Sequence, residues 1–131
     1  MGQGKIQRKL FYKEYSPIYS IFPGTVYENP NNPKIKFNLD SAKALFAEAG
    51  WIEKNSDGYL VKDGKVFELD LPFDGGPGQE RYLTVFQEDL KKAGVKLNLK
   101  QIDGSTRFKL GNERNFTLLV TAWGGLRVPN P

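Results

Sequence analysis

The arrangement best suited to hold a ligand is Thr121-Ala122-Trp123-Gly124-Gly125-Leu126. It follows Phe116-Thr117-Leu118-Leu119-Val120-Thr121, an apolar run that reads as a buried strand, so Ala122 to Gly125 fall beyond that strand's carboxyl end. An indole there offers an apolar ring and one N–H donor, and glycines without Cβ let a ligand main chain or ring approach closely. The same residues would serve equally well as a tryptophan packed at a domain edge, and spacing alone leaves both readings open. A second candidate is Phe73-Asp74, which ends another apolar alternation and leads into Gly75-Gly76-Pro77-Gly78. Glycine-rich turns before a helix can hold an anion. With neither Gly-Lys-Ser/Thr nor G-x-G-x-x-G present, a plain connecting loop is the simpler reading. Phe73 and Asp74 remain ligand candidates because ligands of open α/β sheets gather beyond the carboxyl ends of strands.

Catalysis finds little to work with. The chain has no cysteine and no histidine, which removes a cysteine nucleophile, a histidine base and Cys/His zinc sites. Glu53, Asn55 and Asp57 before Gly58 imitate a calcium loop, but its twelfth position is Gly64, where a bidentate glutamate is required. No catalytic residue, metal site or cofactor is expected, and the chain reads as a binding protein and not an enzyme. Net charge is +4 over 131 residues, with a pI near 9.2. A small basic nucleic-acid-binding module using exposed Tyr and Trp is the alternative, distinguishable by a steep loss of affinity with salt. Against it, the basic residues interleave with Asp and Glu, as in Glu88-Asp89-Leu90-Lys91-Lys92, which favours a solvated mixed-charge face. No apolar stretch approaches the ~18 residues of a membrane span. Met1-Gly2-Gln3-Gly4-Lys5 has no secretory h-region, so any export leader is expected outside this chain.

The elements that must position these residues follow from periodicity. A helical turn or two is expected over 5–15, then an irregular Pro/Asn-rich segment to Pro33 whose aromatic and aliphatic residues suggest packing onto something. Asn38 is the expected N-cap of a helix carrying Leu39, Ala42, Leu45, Phe46 and Ala49 on a core-facing stripe, closed by Gly50 with Trp51 folding back. Asp63-Gly64 marks a two-residue type I′ hairpin turn between 59–62 and 65–67. The second strand is expected to continue through Phe67, Leu69, Leu71 and Phe73, with Pro72 at its end or on a free edge. Tyr82, Leu83, Phe86, Leu90 and Ala93 form the stripe of the strongest helix, with Glu88 and Lys92 paired at i,i+4 and Gly94 as its stop. Val95, Leu97 and Leu99 then make a strand, Ser105 to Arg114 a short helix, and 116–121 a last strand. Strand–helix–strand–helix–strand predicts right-handed crossovers and an α/β fold: a small, largely parallel sheet flanked by helices, with an antiparallel hairpin strand. Residues 1–37 read as a lead-in packed on the domain and 38–131 as its core. A sheet this small suggests that the polypeptide continues.

These segments, in this order, resemble the family 5 extracellular solute-binding proteins of ABC importers, the dipeptide, oligopeptide, nickel and glycoside binders. Residues 38–51, ending Leu45-Phe46-Ala47-Glu48-Ala49-Gly50-Trp51, are similar to the family's D-x-x-x-A-K-x-L-L-x-E-A-G-W. Lys62-Asp63-Gly64-Lys65 with Phe67-Glu68-Leu69 resembles its K-D-G-K…E-L-T-L hairpin, and Gln87 to Val95 its Q-x-x-L-K-K-x-G-I helix end. Phe116 to Gly125 resembles F-D-x-x-x-x-G-W-G, and Trp123-Gly124-Gly125 with Pro129-Asn130-Pro131 resembles the oligopeptide-type branch. The resemblance implies one lobe of a two-lobed periplasmic clamshell that closes on a peptide or small solute and delivers it to a membrane permease. The implied partners are that solute, the remaining lobe of the same protein and the permease, with no nucleic acid, in a periplasmic or extracellular, membrane-associated setting. It further implies that Ala122, Trp123, Gly124 and Gly125 line the cleft. Oligopeptide binders place an Asp shortly after the Trp to meet the ligand's α-ammonium; here Gly125-Leu126-Arg127-Val128 has no acid, and Arg127 is instead a candidate partner for an anionic group. With no histidine, direct metal binding in the manner of the nickel branch is not expected.

Overall fold

The computed structural model describes residues 18–120. Asn38–Val120 form one compact unit, and residues 18–37 belong to a second. The helix expected over 5–15 lies outside the described residues. Residues 18–37 are irregular, tied by bonds within the segment such as Asn32 Nδ2 donating to the Tyr19 carbonyl (2.7 Å). Ile21 and Val26 are exposed.

The larger unit opens with α1 (Leu39–Glu48). The Asn38 side chain accepts from the Ser41 N–H at 3.0 Å, satisfying one of the donors that a helix start leaves orphaned. At the other end the Lys62 ammonium donates to the Ala49 carbonyl (2.8 Å), and Gly50 takes φ +86°. The core-facing stripe expected here is corrected: no α1 residue is fully buried, and Leu45 is 64% exposed. What anchors this region is aromatic. Trp51 stacks on Phe67 with centroids 4.5 Å apart, and Phe46 meets the same ring edge-on at 5.2 Å.

Strands β1 (Glu53–Lys54), β2 (Leu60–Lys62) and β3 (Lys65–Val66) form an antiparallel sheet in that order. Asn55 shapes the first turn, its side-chain oxygen accepting from the Asp57 and Tyr59 N–H groups. Asp63 at φ +51° and Gly64 at +74° form the second, both positive as a type I′ turn demands. The continuous second strand expected from the alternation is broken at Phe67. There the chain changes partner: the Phe67 N–H donates to Leu60, and its carbonyl accepts from Lys96.

Beyond that break, β4 (Glu68–Phe73) pairs in parallel with β5 (Lys96–Gln101), Glu68 opposite Lys96 and Phe73 opposite Gln101. Between them runs α2 (Pro77–Ala93), stopped by Gly94 at φ +91°. After β5 comes α3 (Gly104–Asn112), capped by Asp103. Alternation sorts the sheet's two faces. Leu71, Phe73 and Leu97 meet Leu83 of α2 as the core, with Leu69, Tyr82, Leu90, Leu99, Leu118 and Val120 around it. On the other face Glu68 pairs with Lys96 (2.8 Å) and Asp70 with Lys100 (2.6 Å), while the Asn98 amide donates to both acids. Lys92, assigned from sequence to Glu88, pairs with Asp89 at 2.9 Å.

The third parallel strand is also corrected: residues 116–120 carry no strand pairing. They nonetheless run beside β4, where the Thr117 hydroxyl accepts from the Asp70 N–H (3.2 Å) and donates to the Asp70 carbonyl (2.9 Å). That edge is where Pro72 belongs. Groups two residues apart in a strand point the same way, so the N–H that Pro72 lacks is missing from the edge away from β5.

Candidate functional site

A parallel pair delivers both strands' carboxyl ends to one side, and here the starts of α2 and α3 lie there too. β4 ends in Phe73, 2% exposed and part of the core, and its carbonyl accepts from the Ile102 N–H (2.9 Å). One residue on, Asp74 stands clear of the sheet. Its Oδ2 lies 2.8 Å from Arg107 Nε, in the first turn of α3. That Nε is shut off from solvent and its N–H has no aligned acceptor among the described residues, so the contact is an ion pair and not a linear hydrogen bond. The other arm of the guanidinium, through an Nη, donates to the Val120 carbonyl at 3.4 Å. One side chain therefore ties the end of β4 to the main chain at Val120, whose next residue is Thr121.

Two local devices hold this geometry. Asp103 accepts from the Ser105 hydroxyl and from the hydroxyl (2.6 Å) and N–H (2.9 Å) of Thr106, fixing the start of α3 one turn before Arg107. Those donors, the Ser105 hydroxyl foremost and then the Thr106 groups, keep the Asp103 carboxyl well below the usual carboxylate range. Across the loop, the Gln79 side chain accepts from the Gly75 N–H (2.5 Å), and a Cβ at Gly75 would run into it. On the polar face of the sheet the charges are balanced. The hydrogen bond from Asn98 and then Lys96 lower Glu68; Lys100 and then Asn98 lower Asp70; Glu68 in turn raises Lys96.

The chain that builds this site matches a known group of proteins. A profile described as "Bacterial extracellular solute-binding proteins, family 5 Middle" matches residues 3–131. The chain belongs to this family. Oligopeptide-binding protein AppA from Bacillus subtilis (strain 168) is 37% identical over 132 residues, covering 98% of this family 5 chain but 23% of AppA. The structure of AppA in complex with a nonapeptide superposes with a TM-score of 0.79 at 29% identity, over 96% of this chain and 26% of that one. The oligopeptide-binding protein of Thermus thermophilus, complexed with a pentapeptide, gives 0.74 at 30% identity, over 92% and 22%. NikA from Brucella suis, in complex with Fe(III)-EDTA, gives 0.74 at 23% identity over 92% and 25%, a likeness of fold. The family 5 chain thus spans about a quarter of the length of these relatives. Among the described residues, no helix is long and apolar enough to cross a membrane.

Of the residues singled out in the sequence, Phe73 and Asp74 stand together at the carboxyl end of β4. Ala122, Trp123, Gly124, Gly125 and Arg127 lie outside the described residues. Sequence reasoning passed over Arg107. A signal was available: α3 starts just past the carboxyl end of β5, which a parallel pairing sets beside the carboxyl end of β4, so Arg107 in its first turn falls near Asp74.

Proposed function

We propose that this chain is part of one lobe of a solute-binding protein that takes up peptides outside the cytoplasmic membrane and hands them to an ABC permease. The observation that carries this reading is the likeness to AppA, a relative whose structure holds a nonapeptide, over 96% of the chain. The geometry supports it by gathering Asp74, Arg107 and the main chain leading to Thr121 at one end of the parallel pair.

In this reading Ala122, Trp123, Gly124 and Gly125 border the ligand through main chain and ring, and Arg127 is available to an anionic group. Asp74 stands at the rim while Phe73 packs beneath it. The lobe does no chemistry; its work is to close with a second lobe about a hinge, and the closed shape is what the permease reads. Half a clamshell offers half the contacts, so the isolated chain is expected to bind peptide weakly or not at all. The test transplants residues 3–131 into AppA in place of the matching segment and titrates nonapeptides by calorimetry into the hybrid and the isolated chain. Binding by the hybrid with Kd at least a hundredfold below that of the isolated chain, a gap of about 2.7 kcal/mol, supports the reading. Tight binding by the isolated chain, or a folded hybrid that takes no peptide, contradicts it.

A further inference from the structure

Asn115-Phe116-Thr117 has the pattern Asn-x-Ser/Thr that N-glycosylation requires, and no other asparagine of the chain is followed by Ser or Thr two positions on. Glu113, two residues before it, adds the acid that bacterial transferases favour at that place. A pattern this short also arises by chance, and in the buried strand that composition suggests for 116–121 it would carry nothing. The structure gives it a different setting. α3 ends at Asn112, and Arg114 at φ +54° turns the chain. Residues 113–117 are all exposed, Phe116 at 42%. The Asn115 N–H donates to the Leu110 carbonyl (3.0 Å), which fixes the main chain, while the side-chain amide has no hydrogen-bond partner among the described residues. An exposed turn with an unengaged amide can carry a glycan, which is bulky and must stand in solvent.

The place in the fold suits this as well. Thr117 meets Asp70 midway along β4, and Val120 meets Arg107, the partner of Asp74 at that strand's carboxyl end. Residues 117–120 therefore run in the direction of β4, and Asn115 falls toward its amino end. That is the side away from the end read above as the ligand's.

We infer that Asn115 is an acceptor for an N-linked glycan, added by an oligosaccharyltransferase from a lipid-pyrophosphate-linked oligosaccharide. This rests on the reading of the chain as an exported protein, since such transferases act outside the cytoplasmic membrane. The amide nitrogen of Asn115 attacks the anomeric carbon of the sugar. A C–N bond forms, the C–O bond to pyrophosphate breaks, the lipid pyrophosphate leaves with the electron pair, and the amide gives one proton to a base of the transferase. The transferase must read the Thr117 hydroxyl, which the Asp70 main chain takes up in the folded domain. Transfer therefore precedes the settling of 116–120 against β4.

The test fits the chain with a secretory leader and exports it from bacteria that carry an oligosaccharyltransferase and its lipid-linked oligosaccharide. Mass spectrometry of the purified chain is expected to show a fraction heavier by one glycan, mapped to Asn115. Asn115→Gln should abolish that fraction without moving the melting temperature, because the amide holds nothing the fold needs. Thr117→Ser keeps the hydroxyl and should keep the glycan, whereas Thr117→Val should lose it. Glu113→Gln should lower the occupancy. A bare chain from cells that glycosylate a control acceptor would overturn the inference. So would added mass that persists in Asn115→Gln, or full glycosylation of Thr117→Val. An AppA hybrid glycosylated at Asn115 that takes no peptide would sink the functional reading alone; one that takes peptide with Asn115 bare would sink only this one.

Discussion

Leu97→Ala is expected to lower the unfolding free energy of the chain by about 2–5 kcal/mol. Leu97 is the second residue of β5, 4% exposed, against Leu71, Phe73 and Leu83. A domain of this kind is stabilised by only about 5–15 kcal/mol in total, so the loss is a large fraction of it. Truncation removes the transfer free energy of three carbons and opens a cavity between α2 and the sheet that neither can collapse into freely. The strand is pinned on both sides: Gln87 donates to the Leu97 carbonyl (2.6 Å), and β4 is paired along the whole of β5. Urea denaturation of the two chains side by side measures the difference. A loss under ~0.5 kcal/mol, the level of an ordinary surface substitution, would mean that this core does not form as described.

The second large effect belongs to a residue with no side chain. Gly94 stops α2 at φ +91°, and a Cβ placed on it would come 2.8 Å from Leu60 Cγ. Gly94→Ala therefore incurs two costs, a left-handed backbone unsuited to an L side chain (about 1–3 kcal/mol) and a clash in packed surroundings (about 1–3 kcal/mol). Leu60 cannot easily yield, because it is buried and its N–H is tied to the Gly94 carbonyl at 2.7 Å. Gly58 supplies the control: it has φ +83° with nothing within 4 Å of its would-be Cβ, so Gly58→Ala isolates the backbone part. Gly94→Ala should lose clearly more stability than Gly58→Ala in thermal and urea melts; equal losses would show that the contact between the end of α2 and β2 is not made.

What the sequence disclosed and what it withheld divide along physical lines. Caps and turns were legible because each is decided by a few neighbouring residues: Asn38 for α1, Asp63-Gly64 for the hairpin, Gly94 for the end of α2. The parallel pairing of β4 with β5 was legible from the helix-length connection between two alternating runs. Phe67 was misjudged because a period of two says which face a side chain takes, not which strand it pairs with, and the chain changes sheets there without breaking the alternation. Leu45 was misjudged because an apolar stripe requires some partner without saying that the partner lies in the same stretch of chain. The run 116–120 reads as a strand by composition, yet the Thr117 hydroxyl takes up the Asp70 edge groups that a ladder would use. In the site, Asp74 was found from its place at a strand end, while Arg107 was hidden among nineteen lysines and arginines until topology brought it to Asp74.

The decisive observation is where a bound peptide touches this segment. In the AppA hybrid, a nonapeptide carrying a benzophenone side chain is irradiated and the adducts are mapped by mass spectrometry. Adducts within 121–127 or at the rim around Asp74 are the expected result. Adducts confined to the hairpin of β2 and β3, or to the amino ends of β4 and β5, would place the ligand at the wrong end of the sheet and refute the claim that its carboxyl end is the binding face.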